Sequence, residues 1–416
     1  MAAPLASAPR VRHNSAETVT ADHHTPTVLV LCPGQRDRLN LADERIMERF
    51  AVRLAGEPIR PGFDATAFID HMARFGPAAD GVIGSSDATG HLAAVLAERV
   101  GLPGPGRAAF MRCHDKLVCR RIQAEAVPEA VPAFATIDTH QSCDRAPLPY
   151  PFFVKPVQGH LSQHAYAVDG PDRLAEVLAA ARRAQVRHLI AEELLDGRLV
   201  TFEGFVANGE VTPIGVTDAV MHENAISFLR FEYPSSLPEG PQREMAEIAE
   251  RLMPALEFDG SLFNIEFFVP ADGAAKIVEV NGRMASQFAP LVRAVHGTST
   301  YRLQLELVTG GRPTLPTARR DVVASSFVLR RYVEDAIVET VPDPAAIVER
   351  FPGSQVELLV RPGQRLSEND DDSASHRLAV VALSGPDRAT LLRDWEEAQR
   401  LLPFSLRPVE GSSTTG

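Results

Sequence analysis

Apolar residues occur in short runs whose period switches between two and about 3.6 along the chain. Thr27 to Cys32 is a buried-type strand ended by Pro33-Gly34, and a helical pattern follows through Leu54. Asp80 to Gly84 is another short strand, and Leu92 to Val100 has helical spacing behind Ser85-Ser86-Asp87. Strands alternating with helices predict a small parallel α/β unit. Ser86 and Asp87 suit a helix cap; at a strand's carboxyl end they equally suit contact with a ligand. Gly101 to Gly106 is a boundary by composition. Beyond it the pattern predicts a helix over Phe110–Glu125, an extended run from Val131, and a polar helix start and loop over Asp138–Ala146. Tyr150–Val157 and Ala165–Val168 read as strands around the polar turn Gln158–His164. Pro171–Arg187 reads as a helix and His188–Leu195 as a strand. Asn208-Gly209 joins strands Leu199–Ala207 and Glu210–Thr217 as a hairpin. Asp218–Arg230 is less regular. Gln242–Leu256, Gln287–Gly297 and Thr300–Thr309 have helical spacing. A last part holds strands near Val322–Tyr332, Gln355–Val360 and Leu378–Ser384 and a closing helix, Asp387–Leu401.

One stretch carries unusual chemistry. Ser261 to Arg283 places two β-type runs around Asp272-Gly273, a hairpin signal. With that turn, Glu266 falls opposite Glu279 and Asn264 opposite Asn281, and alternation puts all four, with Arg283, on one face. Opposed Cβ atoms lie roughly 4.5–5.5 Å apart. Facing carboxylates repel, so they call either for solvent or for a hard divalent cation such as Mg²⁺.

Composition narrows the classes. A net charge of −12 argues against general binding to nucleic acid or anionic membranes. No apolar run approaches the roughly 20 residues that span a bilayer. The first 25 residues lack an apolar core, so they read as a disordered tail and not a signal peptide. Cys32, Cys113, Cys119 and Cys143 lack metal-type spacing, which suits reduced thiols and a cytoplasmic setting. Of 42 basic residues only Lys116, Lys155 and Lys276 are lysine, so a retained lysine marks a place where a compact point charge matters. Lys155 ends an apolar strand before a polar turn, which fits phosphate binding or an edge lysine that snorkels to water.

The ordered set of features resembles the ATP-grasp superfamily, in its carboxylate–amine ligase and biotin-carboxylase-like members. It comprises Asp115-Lys116, Val154-Lys155-Pro156, Glu192-Glu193-Leu194-Leu195 with Gly197, Asn264-x-Glu266, and Glu279-x-Asn281-x-Arg283, and it spans about Val28 to Ser405. The resemblance implies an α/β and α+β multidomain chain. A tail (1–26) precedes a parallel α/β domain (27–108), a first ATP-grasp part with a lid (109–206) and a second with the metal site (207–316). A small C-terminal α+β cap (317–408) and a flexible tail (409–416) follow. It implies that Lys116 and Lys155 contact ATP phosphates, that Glu192, Glu193, Leu194 and Leu195 pair with adenine, and that Glu266, Glu279 and Asn281 hold one or two Mg²⁺, replaceable by Mn²⁺. Arg283 would stabilise an acyl phosphate and the oxyanion formed when an amine attacks it.

Two departures from the family pattern stand out. The lid loop has only Gly159, leaving phosphate contacts to side chains such as Ser162, His160 or His164. Leu199 stands near the usual ribose-binding acid, with Glu203 further along as a ribose contact or a supporting residue. Arg283 and Gln287 are the acceptor-site candidates. His222, Glu223 and Arg230 either select the second substrate or form a solvated loop. The activity implied is ADP-forming ligation of a carboxylate, above all an amino acid, to an amine, as in dipeptide synthesis in specialised metabolism. Both substrates are small molecules, and a homodimer is common in the family. The alternatives are a biotin-carboxylase-like or purine-pathway enzyme, and a non-catalytic ATP-binding protein.

Overall fold

The computed structural model describes residues 24–141, 146–157, 165–222, 227–271, 274–316, 320–333, 335–368 and 375–409. The N-terminal unit is a three-stranded parallel sheet in the order Ala51–Ala55, Thr27–Leu31, Gly81–Ile83. The helix expected through Leu54 is therefore corrected. Two short helices, Gln35–Leu41 and Glu44–Met47, give way to a strand paired from Thr27↔Ala51 onward. Parallel pairing with a fully buried strand outweighs local helix propensity there. The helix Asp87–Val100 begins at Ser86, whose hydroxyl accepts from the Thr89 amide, so Ser86 is the cap.

The helix expected over Phe110–Glu125 is two, Arg107–His114 and Lys116–Ala126. Asp115 is extended between them and accepts from the amides of Leu117 and Val118, capping the second helix and starting it at Lys116. A four-stranded antiparallel sheet follows in the order Phe134–Asp138, His188–Glu193, Phe152–Pro156, Tyr166–Val168. Leu174, Val177, Leu178 and Ala181 of the helix Pro171–Arg183 pack on it.

The largest element is an eight-stranded antiparallel sheet. Its order is Lys276–Asn281, Ser261–Val269, Arg198–Ala207, Glu210–Met221, Phe228–Tyr233, Val323–Arg331, His376–Gly385, Gln355–Leu358. It gathers strands from distant parts of the chain. Arg198–Ala207 pairs with Ser261–Val269, so it belongs to this sheet and not to the four-stranded one. Asp218–Arg230, read as irregular, contributes to two paired strands. The strands of the C-terminal cap extend the same sheet. Long-range pairing of this kind leaves no local periodic signal.

One face of this sheet is apolar. Phe202, Phe263, Ile265, Phe267 and Val280 pack against the helix Glu239–Ala255, whose Met245, Ile248, Ala249, Leu252 and Met253 are buried at helical spacing. Burying each large side chain contributes about 1.5–3 kcal/mol, which fixes the strand register, because a one-residue slip would expose the set. The opposite face carries Thr201, Glu203, Asn264 and Glu266, beside Phe205 and Leu262, which pack in a second core. Among the described residues no helix is long and apolar enough to cross a membrane.

Candidate active site

That polar face holds the opposed carboxylates. Asn264 pairs with Asn281 and Glu266 with Glu279, as the hairpin pattern predicts, while the turn at 272–273 lies outside the described residues. The pairing then shifts by one, Phe267 meeting Ile277, so Val278 is an extra residue in its strand. Two rows cross the sheet: Asn281, Asn264, Glu203, Gly215 and Glu279, Glu266, Thr201, Thr217. Asn281 Nδ2 donates to Asn264 Oδ1 at 3.0 Å, and Asn264 Nδ2 donates to the Arg283 carbonyl at 2.9 Å. Burial, then the like charge of Glu279, push the Glu266 carboxyl up to about 7.

Cations reach this floor from two other elements. Lys116, in the first turn of its helix, lies 2.9 Å from Glu279 Oε1. Lys155, on the lid strand Phe152–Pro156, lies 2.7 Å from Glu192 Oε2. Glu192 is buried and also accepts from Arg120 Nε at 2.6 Å. Burial alone would raise its pKa, but Arg120 and Lys155 outweigh that and hold it below the ordinary range. The Val278 carbonyl accepts from Arg120 Nη2 at 2.8 Å and from Lys155 Nζ at 3.4 Å. Lys116, Lys155, Arg120, Glu192 and Glu279 line one cleft between lid and floor. Sequence reasoning missed Arg120. Its signal was its place four residues after Lys116, on the same helix face. Lys276, the third lysine, donates to the carbonyls of Glu129 and Val131 instead.

The remaining candidates are distributed as follows. The Glu192 side chain turns into the cleft. Glu193 accepts from the Ala133 amide at 3.2 Å; Leu194 is exposed and Leu195 partly so. Glu203 is 1% exposed beneath the segment 283–285, its Oε1 accepting from the Ala285 amide at 3.4 Å. Its Oε2 and the Thr217 hydroxyl are buried without a hydrogen-bond partner among the described residues, and burial pushes the Glu203 carboxyl up to about 8. Arg283 bonds to Asp87 of the N-terminal unit, with Nε 2.6 Å from Oδ1. Gln287, in the short turn Ser286–Phe288, donates to Ser326 Oγ at 3.0 Å. Arg230 alternates to the side of the sheet opposite Glu203 and Thr217 and pairs with Glu232 at 2.7 Å. His222 sits at the end of Glu210–Met221 with its ring edge-on to Tyr332. Ser162 and Glu223, with the loop 158–164, lie outside the described residues.

Two carboxylates and an amide form the donor set on the floor, and no group of three or more His, Cys, Asp or Glu gathers among the described residues. All three side chains bear oxygen, and Lys116 meets only the Glu279 side of the facing pair. This fits a hard cation that takes the rest of its shell from phosphates and water.

Residues 148–290 match the ATP-grasp domain family. A stretch of 77 residues is 44% identical to the carbamoyl phosphate synthase large chain of Hyperthermus butylicus, covering 18% of this chain but only 7% of that relative. The L-amino acid ligase of Bacillus licheniformis superposes with a TM-score of 0.74 at 18% identity, over 91% of this chain and 98% of that one. The biotin carboxylase domain dimer of Hydrogenobacter thermophilus 2-oxoglutarate carboxylase, solved with MgADP, ADP and bicarbonate, superposes with a TM-score of 0.71 at 14% identity. That match covers 93% of this chain and 92% of the domain. Residues 148–290 are thus an ATP-grasp domain, and the chain built around them has the ATP-grasp fold.

Proposed function

We propose that the chain is an ADP-forming carboxylate–amine ligase that activates a carboxylate, above all an amino acid, as an acyl phosphate and joins it to an amine. The observation that carries this reading is that Lys116, held by Glu279, and Lys155, held by Glu192, come from separate elements to one cleft beside the Glu266–Glu279 pair. A carboxylate resists amines because oxide is a poor leaving group, and phosphorylation replaces it with a good one. That transfer is mostly positioning and charge neutralisation.

Each residue then has a task. Lys116 and Lys155 exchange their carboxylate partners for nucleotide phosphates. Glu266, Glu279 and Asn281 would hold one or two Mg²⁺, whose chemistry there would be charge neutralisation. Glu192 to Leu195 bind the base through backbone groups, while the Glu192 side chain aims Lys155. Arg283 faces the oxyanion as the amine attacks and phosphate leaves. Gln287 borders the acceptor, and His222 with Glu223 selects it. The lid sheet, residues 134–193, excludes the water that would hydrolyse an acyl phosphate.

The test is to supply purified protein with ATP, Mg²⁺ or Mn²⁺, and pools of carboxylates and amines, and to measure ADP, AMP and phosphate. Metal-dependent ADP release needing both a carboxylate and an amine is expected. AMP release sinks the acyl-phosphate route. ADP release that needs only bicarbonate replaces amide formation with carboxylation.

A further inference from the structure

Arg283 is not held by the sheet alone. Its Nε lies 2.6 Å from Oδ1 of Asp87 and its Nη2 lies 3.2 Å from Oδ2, so guanidinium and carboxylate meet fork to fork. Nη2 also lies 3.4 Å from Asn281 Oδ1, and Nη1 lies 3.4 Å from the Met284 carbonyl. Asp87 stands 196 residues earlier in the chain and opens the helix Asp87–Val100 of the N-terminal unit. Ser86 already caps that helix, so the carboxylate is not required for the cap. Both side chains are mostly buried, 22% and 28% exposed. A two-point contact in such a place fixes orientation as well as charge, which a solvent-screened surface pair does not.

We propose that Asp87 is a positioning residue: it grips the Nε–Nη2 edge of Arg283 and leaves the Nη1 N–H that the Met284 carbonyl does not take to face an oxyanion. An arginine carries several rotatable bonds, and a guanidinium that must find its orientation during the reaction contributes less than one already aimed. The N-terminal unit would then complete the site rather than merely precede it. This inference rests on the reading of Arg283 as the oxyanion-facing cation. The competing physical effect has the opposite sign: if Asp87 only neutralised Arg283, removing its charge would free the arginine and tighten anion binding.

The two effects are separated by titrating inorganic phosphate into the full chain saturated with Mg-ADP, for wild type, Asp87→Asn, Asp87→Glu, Arg283→Met and the double variant Asp87→Asn/Arg283→Met. Positioning predicts about tenfold weaker phosphate binding in Asp87→Asn, an effect of roughly 1.4 kcal/mol. It predicts partial recovery in Asp87→Glu and no further loss on adding Asp87→Asn to Arg283→Met. Because Asp87→Glu keeps the charge at the helix start, it reports on the contact even where Asp87→Asn folds poorly. Unchanged or tighter binding by Asp87→Asn overturns the proposal. So does a loss that persists undiminished in the Arg283→Met background, or wild type that binds no phosphate. If the phosphate pattern holds while no carboxylate and amine elicit ADP, the ligase reading falls and the positioning role stands.

Discussion

Glu203 is a residue whose titration the fold strongly disturbs. Its carboxyl is buried, pushed up to about 8, and leaves one oxygen without a partner among the described residues. Between about pH 4.5 and 8 the folded chain keeps this proton while the unfolded chain has lost it. Unfolding then releases a proton, so rising pH lowers stability across that window. Replacing Glu203 with Gln should flatten this slope in urea titrations run from pH 5 to 8, each pKa unit being worth about 1.4 kcal/mol. Equal slopes for the two proteins would show that the carboxyl titrates normally. Glu279→Gln acts on the floor instead. Halving the paired charge should weaken metal retention and cut ADP release at least about a hundredfold, since charge neutralisation carries most of phosphoryl transfer. Full turnover by this variant would remove the metal assignment. At this scale much was legible in sequence. Opposed glutamates follow from alternation alone, and scarce lysines flagged Lys116 and Lys155. Arg120–Glu192 and Asp87–Arg283 were not legible as pairs, because 72 and 196 residues separate the partners and only folding brings them together.

Elements place these groups through their ends and defects. Asp115 breaks a helical run in two and thereby sets Lys116 at a helix start. Gly197 lies where the lid sheet gives way to the large sheet, with φ +130, and a Cβ there would meet the Val269 carbonyl oxygen at 2.5 Å. Backbone cannot move aside cheaply, so Gly197→Ala should destabilise by about 1–3 kcal/mol or more. Gly101→Ala, with φ +73 and open space around it, should cost less. Thermal unfolding of the two variants side by side checks the ordering, and equal losses would show that the contact with Val269 is not rigid. Glu192→Gln belongs here too, since it leaves Arg120 and Lys155 buried without their shared counter-charge. A loss of about 3–5 kcal/mol is expected in urea unfolding; a variant as stable as wild type would mean the triad is well solvated. The helix Glu239–Ala255 and the hairpin at Asn208-Gly209 were readable because their signals are local. The strand Ala51–Ala55 and the continuation of the large sheet into the C-terminal part were not, since partners distant in sequence decide them.

Across the whole molecule, one sheet runs from the carboxylate hairpin to the C-terminal strands, and the N-terminal unit is fastened to that sheet and to segments beside it. Asp87 holds Arg283, Asp37 accepts from the Tyr301 hydroxyl at 2.7 Å, and Arg36 Nε donates to Glu357 at 2.7 Å. Binding at a cleft shared by lid, helix and floor should therefore stabilise the chain broadly. Mg-ATP at a hundred times its Kd should add about 2.7 kcal/mol. A rise in melting temperature that chelation abolishes is the expected reading, and no rise at saturating nucleotide would argue against a metal–nucleotide site. The extra residue at Val278 has a consequence for engineering. Deleting it would restore an unbroken ladder between the two hairpin strands, and any scheme that rewards regular geometry would count that as repair. The same deletion would remove the carbonyl to which both Arg120 and Lys155 are tethered. The irregularity is the mooring between lid and floor, and a smoother protein would be a disconnected one.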